Sequence, residues 1–287
     1  MTMSEPIDKY IRFDWAIKRL LRQKANFGVL DGFLSVFLDQ KIKVIDILES
    51  ESNANSADDK FNRVDIKAKD SKGEIIIVEV QNTREVYFLE RILYGASKAI
   101  TEHIDLGKTY AEVKKIYSIS IVYFDLGKGE DYLYEGRTNF IGVHTKDELK
   151  INRKEENALI TKTPSEIFPT YYIVRVNNFN KVAVSPIEEW MRYLKEGIID
   201  ASTKAPGLQE AREKLLYYSM SEADRHDYDE HLNAIMIQND VIDNAKLEQK
   251  ISSARKMLSA GLSAKDVANF AELTENEVEL IKQSMNE

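Results

Sequence analysis

Two acidic residues on neighbouring predicted strands, Asp65 and Glu79, have the type and spacing that metal or acid-base chemistry requires. The loop Ser71-Lys72-Gly73 joins the strands and has glycine at the position that needs a left-handed backbone. This loop predicts a register in which Asp65 lies opposite Glu79. Because like charges facing each other destabilise a sheet, the pair requires a compensating cation, either a lysine or a metal ion. The pattern also fits a half-exposed hairpin with ordinary surface charges.

The predicted hairpin that positions this pair has an alternating first arm and a second arm, residues 74–81, rich in β-branched residues. In the predicted register one face is wholly apolar and consists of Val64, Ile66, Ala68, Ile76, Val78 and Val80. The opposite face is predicted to carry Asp65, Lys67, Glu79 and Gln81.

The order of these residues resembles the PD-(D/E)XK nuclease signature, in which an Asp on one strand is followed by Glu-x-Lys on the next. More specifically, the chain resembles the PD-(D/E)XK family of transposases and recombination-promoting nucleases. The matching segments span roughly residues 10 to 195 and are Phe13–Lys18, the Asp65 hairpin, Glu79–Gln81, the helix with Arg91 and Tyr94, and Pro186–Trp190. The sequence departs from the superfamily pattern at Gln81, where the signature has lysine.

The resemblance implies a metal-dependent DNA endonuclease that hydrolyses phosphodiester bonds and acts in recombination, transposition or defence. Asp65, Glu79 and the backbone carbonyl of Val80 are the implied ligands of Mg²⁺ or Mn²⁺, since hard cations prefer oxygen donors. The implied catalytic residues are Asp14, Asp65, Glu79 and Gln81. The alternative is a catalytically inactive nuclease fold that serves as a binding or scaffold protein.

Asp14 lies one turn before Lys18 in a helix predicted for residues 8–24. An ion pair at this spacing stabilises a helix by about 0.2–0.5 kcal/mol. The resemblance instead implies that Asp14 is an additional acidic residue beside the metal site.

Two basic residues are predicted to contact nucleic acid, Arg91 and Lys67. Arg91 lies on a helix predicted from Asn82 or Thr83 to about Gly107, on the face that also carries Tyr87, Tyr94 and Lys98. An alternative role for Arg91 is to hold Glu79 in place through a charged hydrogen bond. The buried face of the same helix is predicted to consist of Leu89, Ile92, Leu93, Ala96 and Ile100.

Composition predicts a globular protein without a membrane segment. The 287 residues are 43% hydrophobic and 31% charged, without the long apolar run of a membrane-spanning helix. The N-terminus lacks the pattern of a secretory signal, and zero cysteines exclude disulfides and thiolate metal sites. These features predict a cytoplasmic location. The net charge of −8 argues against a protein that coats nucleic acid, but it permits a local basic surface.

The remaining patterns predict an α/β protein with a mixed sheet flanked by helices, and the resemblance makes this core restriction-endonuclease-like. Further strands are predicted at residues 41–50, 117–124, 137–144 and 170–177. Further helices are predicted at residues 32–40, 187–195, 208–218, 222–239 and 241–260. The predicted domains are a nuclease-like domain at 1–185, a helical extension at 186–242 and a helix-turn-helix-like tail at 243–287.

The tail is predicted to contain two short helices, capped by Ser263 and by Thr274, that meet at Val267, Ala268, Phe270 and Leu273. The second helix holds Glu275, Glu277 and Glu279, which would repel the DNA backbone. The tail is therefore predicted to be an interaction or dimerisation element, with a homodimer formed through the helical C-terminal region.

Overall fold

The structure, a computed structural model, describes residues 10–48, 64–104, 109–155 and 158–285. The chain divides into two compact units, the first ending at Ser221 and the second beginning at Glu222. The ends of three predicted elements, at residues 8–9, 49–50 and 105–107, lie outside the described residues.

The strands within the described ranges all belong to the first unit. They are β1 (Val44–Leu48), β2 (Ile66–Asp70), β3 (Ile75–Gln81), β4 (Ile116–Val122), β5 (Leu133–Gly136), β6 (Ile151–Glu155), β7 (Ala158–Lys162) and β8 (Thr170–Arg175). Six of them form a sheet in the order β1-β2-β3-β4-β8-β5, and β6 pairs separately with β7. Strands β3, β4 and β8 are parallel, while the other pairs are antiparallel, so the sheet is mixed as predicted.

Five described helices belong to the first unit: α1 (Phe13–Arg19), α2 (Phe27–Phe37), α3 (Phe88–Glu102), α4 (Pro186–Glu196) and α5 (Leu208–Lys214). Helix α3 covers one face of the sheet, where Ala96 and Ala99 pack on Ile75 and Ile77 of β3. On α1, α2 and α4, an aromatic cluster of Phe13, Phe33, Trp190 and Tyr193 packs edge to face. The predicted fold class, a mixed sheet flanked by helices with a helical C-terminal region, is confirmed.

The predicted register of the β2–β3 hairpin is confirmed as far as the ladder extends, because Ile66 lies opposite Val78 and Ala68 opposite Ile76. The ladder ends at Ile66 and Val78, so the predicted pairing of Asp65 with Glu79 lies just beyond it. Gly73 has φ of 78°, the left-handed conformation that the loop requires. The face predicted to carry Asp65, Lys67, Glu79 and Gln81 also carries two apolar residues. Ile75 and Ile77 belong to that face and are buried under α3, so both faces of β3 are covered.

Several predicted helix boundaries and buried positions are wrong. The N-cap of helix α3 is Tyr87, four or five residues later than the predicted cap at Thr83 or Asn82, and Phe88 packs against Phe124 of the first unit. Leu89 and Leu93 were predicted to be buried but are 54% and 57% exposed. Helix α2 begins at Phe27, five residues before the predicted start.

The strand predicted at residues 137–144 is also wrong, since the edge strand β5 ends at Gly136. In that segment only an isolated bridge joins Ile141 to Glu148 among the described residues. The hairpin of β6 and β7 was not predicted.

The second unit consists of α6 (Glu222–Ser259), α7 (Ala264–Ala271) and α8 (Glu275–Ser284). Two helices predicted between residues 222 and 260 are one, because no glycine or proline interrupts the segment 222–259. The predicted boundary at 242/243 lies inside α6, and α4, which follows the predicted boundary at 185/186, belongs to the first unit.

Both predicted caps in the tail are confirmed. The Asp266 N–H donates to Ser263 Oγ at 3.2 Å, and Thr274 forms a reciprocal capping box with Glu277. Val267 and Ala268 are buried as predicted, but Phe270 is 68% exposed. No helix in the described part of the chain combines the length and the apolar character needed to cross a membrane.

Candidate active site

The candidate site lies where the ladder between β2 and β3 ends. The last backbone pair is Ile66 with Val78, and beyond it the Val80 N–H donates to Asp65 Oδ2 at 2.6 Å. A side-chain oxygen of Asp65 thus accepts from the backbone of β3 just past the last ladder pair. This hydrogen bond fixes the Asp65 carboxylate one peptide away from Glu79.

Glu79 is a buried carboxylate, 5% exposed, that pairs with Arg91 of α3. Burial raises the pKa of Glu79 to about 7, against the opposing effect of Arg91, and the negative charges of Asp65 and Glu85 raise it further. Asp65 and Glu79 are therefore close enough to repel each other when both are ionised.

Lys18 of α1 lies beside the Asp65 carboxylate, with Nζ 3.6 Å from Oδ1. Burial raises the pKa of Asp65, and the charge of Lys18 and the Val80 hydrogen bond oppose this effect. The carboxylates of the predicted pair are thus each accompanied by a protein cation, Lys18 for Asp65 and Arg91 for Glu79.

Asp14, on helix α1, is fully buried and contacts the segment that follows β3. Its Oδ1 accepts from Arg12 Nε and from the Trp15 N–H, each at 3.1 Å, and its Oδ2 accepts from Asn82 Nδ2 at 2.9 Å. Since Asn82 follows Gln81 directly, these hydrogen bonds hold α1 against the end of the strand that carries Glu79.

Gln81 directs its amide nitrogen away from the strand. Nε2 donates to Glu85 Oε1 at 2.9 Å and to Thr83 Oγ1 at 3.2 Å. Glu85 also pairs with Arg91, so its carboxylate contacts both Gln81 and Arg91.

Lys67 lies away from this group. It is 8% exposed, and its Nζ is 2.7 Å from Glu102 Oε2 at the end of α3. This placement gives Lys67 a structural contact between β2 and α3. Arg91 makes the alternative contact considered for it, the ion pair with Glu79.

The donor set fits a hard divalent cation. Asp65 and Glu79 have carboxylate oxygens, and the Val80 carbonyl, in the peptide that joins Val80 to Gln81, is a third oxygen donor. Within the described ranges, no group of three or more acidic, histidine or cysteine side chains is placed to hold a metal ion. Two carboxylates suffice for Mg²⁺, which usually keeps several waters and binds one or two carboxylates together with substrate phosphates.

Four contacts at the site were not predicted: Lys18 with Asp65, Glu85 with Gln81, Glu85 with Arg91, and Asn82 with Asp14. The spacing of Lys18 one turn after Asp14 is the sequence signal that places both on one face of α1. No sequence signal joins Lys18 to Asp65, which is 47 residues away.

A mixed sheet flanked by helices, with paired carboxylates at the end of a strand, defines the restriction-endonuclease-like class of folds. A family model described as PD-(D/E)XK nuclease family transposase matches residues 11–160, more than half of the chain. The protein belongs to this family, and the matched range contains Asp14, Lys18, Asp65, Glu79 and Gln81. No curated protein and no solved structure matched the chain.

Proposed function

We propose that this protein is a Mg²⁺- or Mn²⁺-dependent DNA endonuclease that acts in recombination, transposition or defence. The observation that carries the proposal is the Asp65 carboxylate, which the Val80 N–H holds beside the buried Glu79 at the end of β3. Membership of a nuclease family supports the reaction class. We also propose a cytoplasmic location, which is consistent with a DNA substrate.

Asp65, Glu79 and the Val80 carbonyl are the proposed metal ligands. The divalent cation, when bound, supplies Lewis acidity to the phosphate and to the attacking water. The positive charges of Lys18 and Arg91 beside these carboxylates oppose the binding of a cation there.

The reaction is hydrolysis of a phosphodiester. The oxygen of water forms a bond to phosphorus while the bond from phosphorus to one sugar oxygen breaks. The departing oxygen keeps the bonding electrons and takes up a proton, and the water loses one, which gives a phosphomonoester and a hydroxyl end.

The other predicted residues have supporting roles in this proposal. The Gln81 amide orients water through hydrogen bonds but cannot accept a proton as a base or carry positive charge. Asp14 is a positioning residue, because its hydrogen bonds join α1 to Asn82. Arg91 orients Glu79 through their ion pair, and a contact from Arg91 to DNA remains a proposal.

The test is cleavage of supercoiled plasmid in Mg²⁺ by the wild type and by Asp65→Asn and Glu79→Gln. Loss of a group that stabilises the transition state costs about 10²–10³ in rate, so both variants should lose at least this factor. Glu74→Gln, at the other end of the same hairpin, is the matched control and should cleave at the wild-type rate. Cleavage that survives both site changes would end the proposal.

A second candidate function is a non-catalytic binding or scaffold protein. The ion pairs of Asp65 with Lys18 and of Glu79 with Arg91, together with Gln81 at the lysine position, favour it. Titration calorimetry with Mn²⁺ separates the candidates, because a scaffold of this kind has no Asp65-dependent metal binding.

The helical C-terminal unit is the proposed interface of a homodimer. Met236, Ile237 and Val241 of α6 are each more than 60% exposed, and a second copy would cover them. Light scattering should give twice the chain mass for the wild type and the mass of one chain for Ile237→Glu. A single-chain mass for both proteins would refute the dimer.

A further inference from the structure

Lys18, on helix α1, lies beside the proposed site on strand β3 and is partly exposed to solvent. Its Nζ lies 3.6 Å from Asp65 Oδ1, which is longer than the 2.7–2.9 Å typical of a charge-assisted hydrogen bond. Its side chain is 48% exposed, whereas those of Asp65 and Glu79 are 15% and 6% exposed. An ammonium group has three donors, so Lys18 can contact Asp65 and a ligand arriving from solvent together.

Helix α1 holds Lys18 in this position through its core contacts. Phe13 and Ile17 are fully buried, and Phe13 packs against Trp190 and Tyr193. Asp14 and Lys18 are four residues apart and share a face of α1. Because Asp14 is hydrogen-bonded to Asn82, this face is directed towards the end of β3.

The charge of Lys18 acts on both carboxylates of the site. It lowers the pKa of Asp65 and, more weakly, that of Glu79, against the larger effect of burial in each case. The electrostatic influence of Lys18 therefore extends over the space between the two side chains.

The other polar groups near the site are turned towards Glu85. Gln81 donates its amide to Glu85 and Thr83, and Arg91 pairs with both Glu79 and Glu85. Gln81 also cannot supply positive charge, since an amide does not ionise. A positive charge that faces an incoming phosphate must therefore come from an element other than strand β3, which carries Gln81.

We propose that Lys18 contacts the scissile phosphate and supplies, from helix α1, the positive charge that Gln81 does not provide from strand β3. This inference rests on the proposed nuclease function and assigns a catalytic residue for it. Lys18 binds a non-bridging phosphate oxygen and stabilises the negative charge that develops there, without giving or taking a proton.

Lys18 then has opposite effects on metal binding and on cleavage. A positive charge 3.6 Å from Asp65 opposes a divalent cation at the same carboxylate, so the lysine weakens metal affinity. The same charge favours the phosphate transition state, so the lysine increases the rate. A lysine that only held α1 or Asp65 in place would support both properties in the same direction.

The experiment compares wild type, Lys18→Met, Lys18→Arg and Lys24→Met, using Mn²⁺ calorimetry and single-turnover plasmid cleavage. Lys24 is an exposed lysine in the short helical turn before α2 and is the matched control for loss of one surface charge. Lys18→Met should bind Mn²⁺ roughly fivefold more tightly. It should cleave about 100-fold more slowly at saturating metal and DNA.

Lys18→Arg, which keeps the charge, should restore wild-type Mn²⁺ affinity and part of the rate, and Lys24→Met should match the wild type in both measurements. Cleavage by Lys18→Met within twofold of the wild type would overturn the inference, as would weaker Mn²⁺ binding by that variant. If Lys18→Met does not fold, the same comparison is made with Lys18→Gln. The variant Asp65→Asn separates a failure of the Lys18 inference from a failure of the proposed nuclease function. Mn²⁺ binding that is unchanged in Asp65→Asn refutes the nuclease function itself.

Discussion

The two ends of the β2–β3 hairpin each carry a pair of carboxylates, and they compensate the charge in different ways. Asp70 and Glu74 flank the loop, while Asp65 and Glu79 lie at the open end. The Asp70 N–H donates to the Glu74 carbonyl at 3.1 Å, so the loop pair faces across the hairpin as the open-end pair was predicted to do.

At the loop end the compensation is local. Asp70 Oδ1 accepts from the Lys72 and Glu74 N–H groups at 2.9 and 2.8 Å, and Asp70 is fully buried. Asp70 Oδ2 and Glu74 Oε2 are buried and have no donor among the described residues. Burial, and after it the charge of Asp70, raises the pKa of Glu74.

At the open end the compensation comes from distant elements. Lys18 of α1 accompanies Asp65, and Arg91 of α3 accompanies Glu79. An acidic pair on a hairpin is therefore not in itself a metal site. The loop pair is held by turn amides and is structural, whereas we propose that the open-end pair, accompanied by side chains of other elements, binds a metal ion.

The largest expected difference between the two ends is in stability. Asp70→Ala removes the acceptor of two backbone N–H groups and should lower the free energy of unfolding by about 2–4 kcal/mol. Asp65→Ala removes one such acceptor but also relieves repulsion with Glu79, so its cost should be about 1 kcal/mol or less. Urea unfolding of the metal-free proteins measures both values, and an equal cost at the two ends would break the comparison.

The second expected difference is a pH dependence that extends to neutrality at the open end. Because the pKa of folded Glu79 is raised from 4.5 to about 7, the folded state binds this proton more tightly than the unfolded state does. The resulting stability is complete below pH 4.5 and is lost as the pH rises to about 7. Over this window wild type should lose roughly 2–3 kcal/mol relative to Glu79→Gln.

Thermal unfolding of the metal-free wild type and Glu79→Gln at pH 5 and pH 8 measures this loss. A stability difference between the two proteins that does not change with pH would show that Glu79 is ionised throughout. Asp65→Asn removes one negative charge that raises the pKa of Glu79. The pH range over which stability is lost should therefore be narrower in this variant.

The smallest expected effect concerns Lys67, in the middle of the hairpin. Its ion pair with Glu102 is structural, so Lys67→Met should cost about 1–2 kcal/mol of stability. The affinity of Lys67→Met for DNA, measured in Ca²⁺, should remain within about twofold of that of the wild type. If Lys67 instead contacted a phosphate, its loss would reduce the dependence of DNA affinity on salt concentration. A reduced salt dependence in this variant would restore Lys67 as a DNA contact.

Local patterns predicted the hairpin well, because Gly73 and the alternation of Ile66 and Ala68 are properties of the segment itself. The caps at Ser263 and Thr274 in the tail and the apolar run of β4 were predicted for the same reason. The start of α3 was not, since it depends on Phe88 meeting Phe124 in the folded chain. The cation beside Asp65 was not predicted either, because Lys18 reaches it only through the packing of α1.

Titration of the protein with Mn²⁺ at pH 8, where Glu79 is ionised, tests whether Asp65 and Glu79 bind the metal ion. We expect one Mn²⁺ site that is lost in Asp65→Asn and in Glu79→Gln and is retained in Glu74→Gln. Binding that disappears in Glu74→Gln, or that persists in both open-end variants, would contradict the assignment of the metal to the open end of the hairpin.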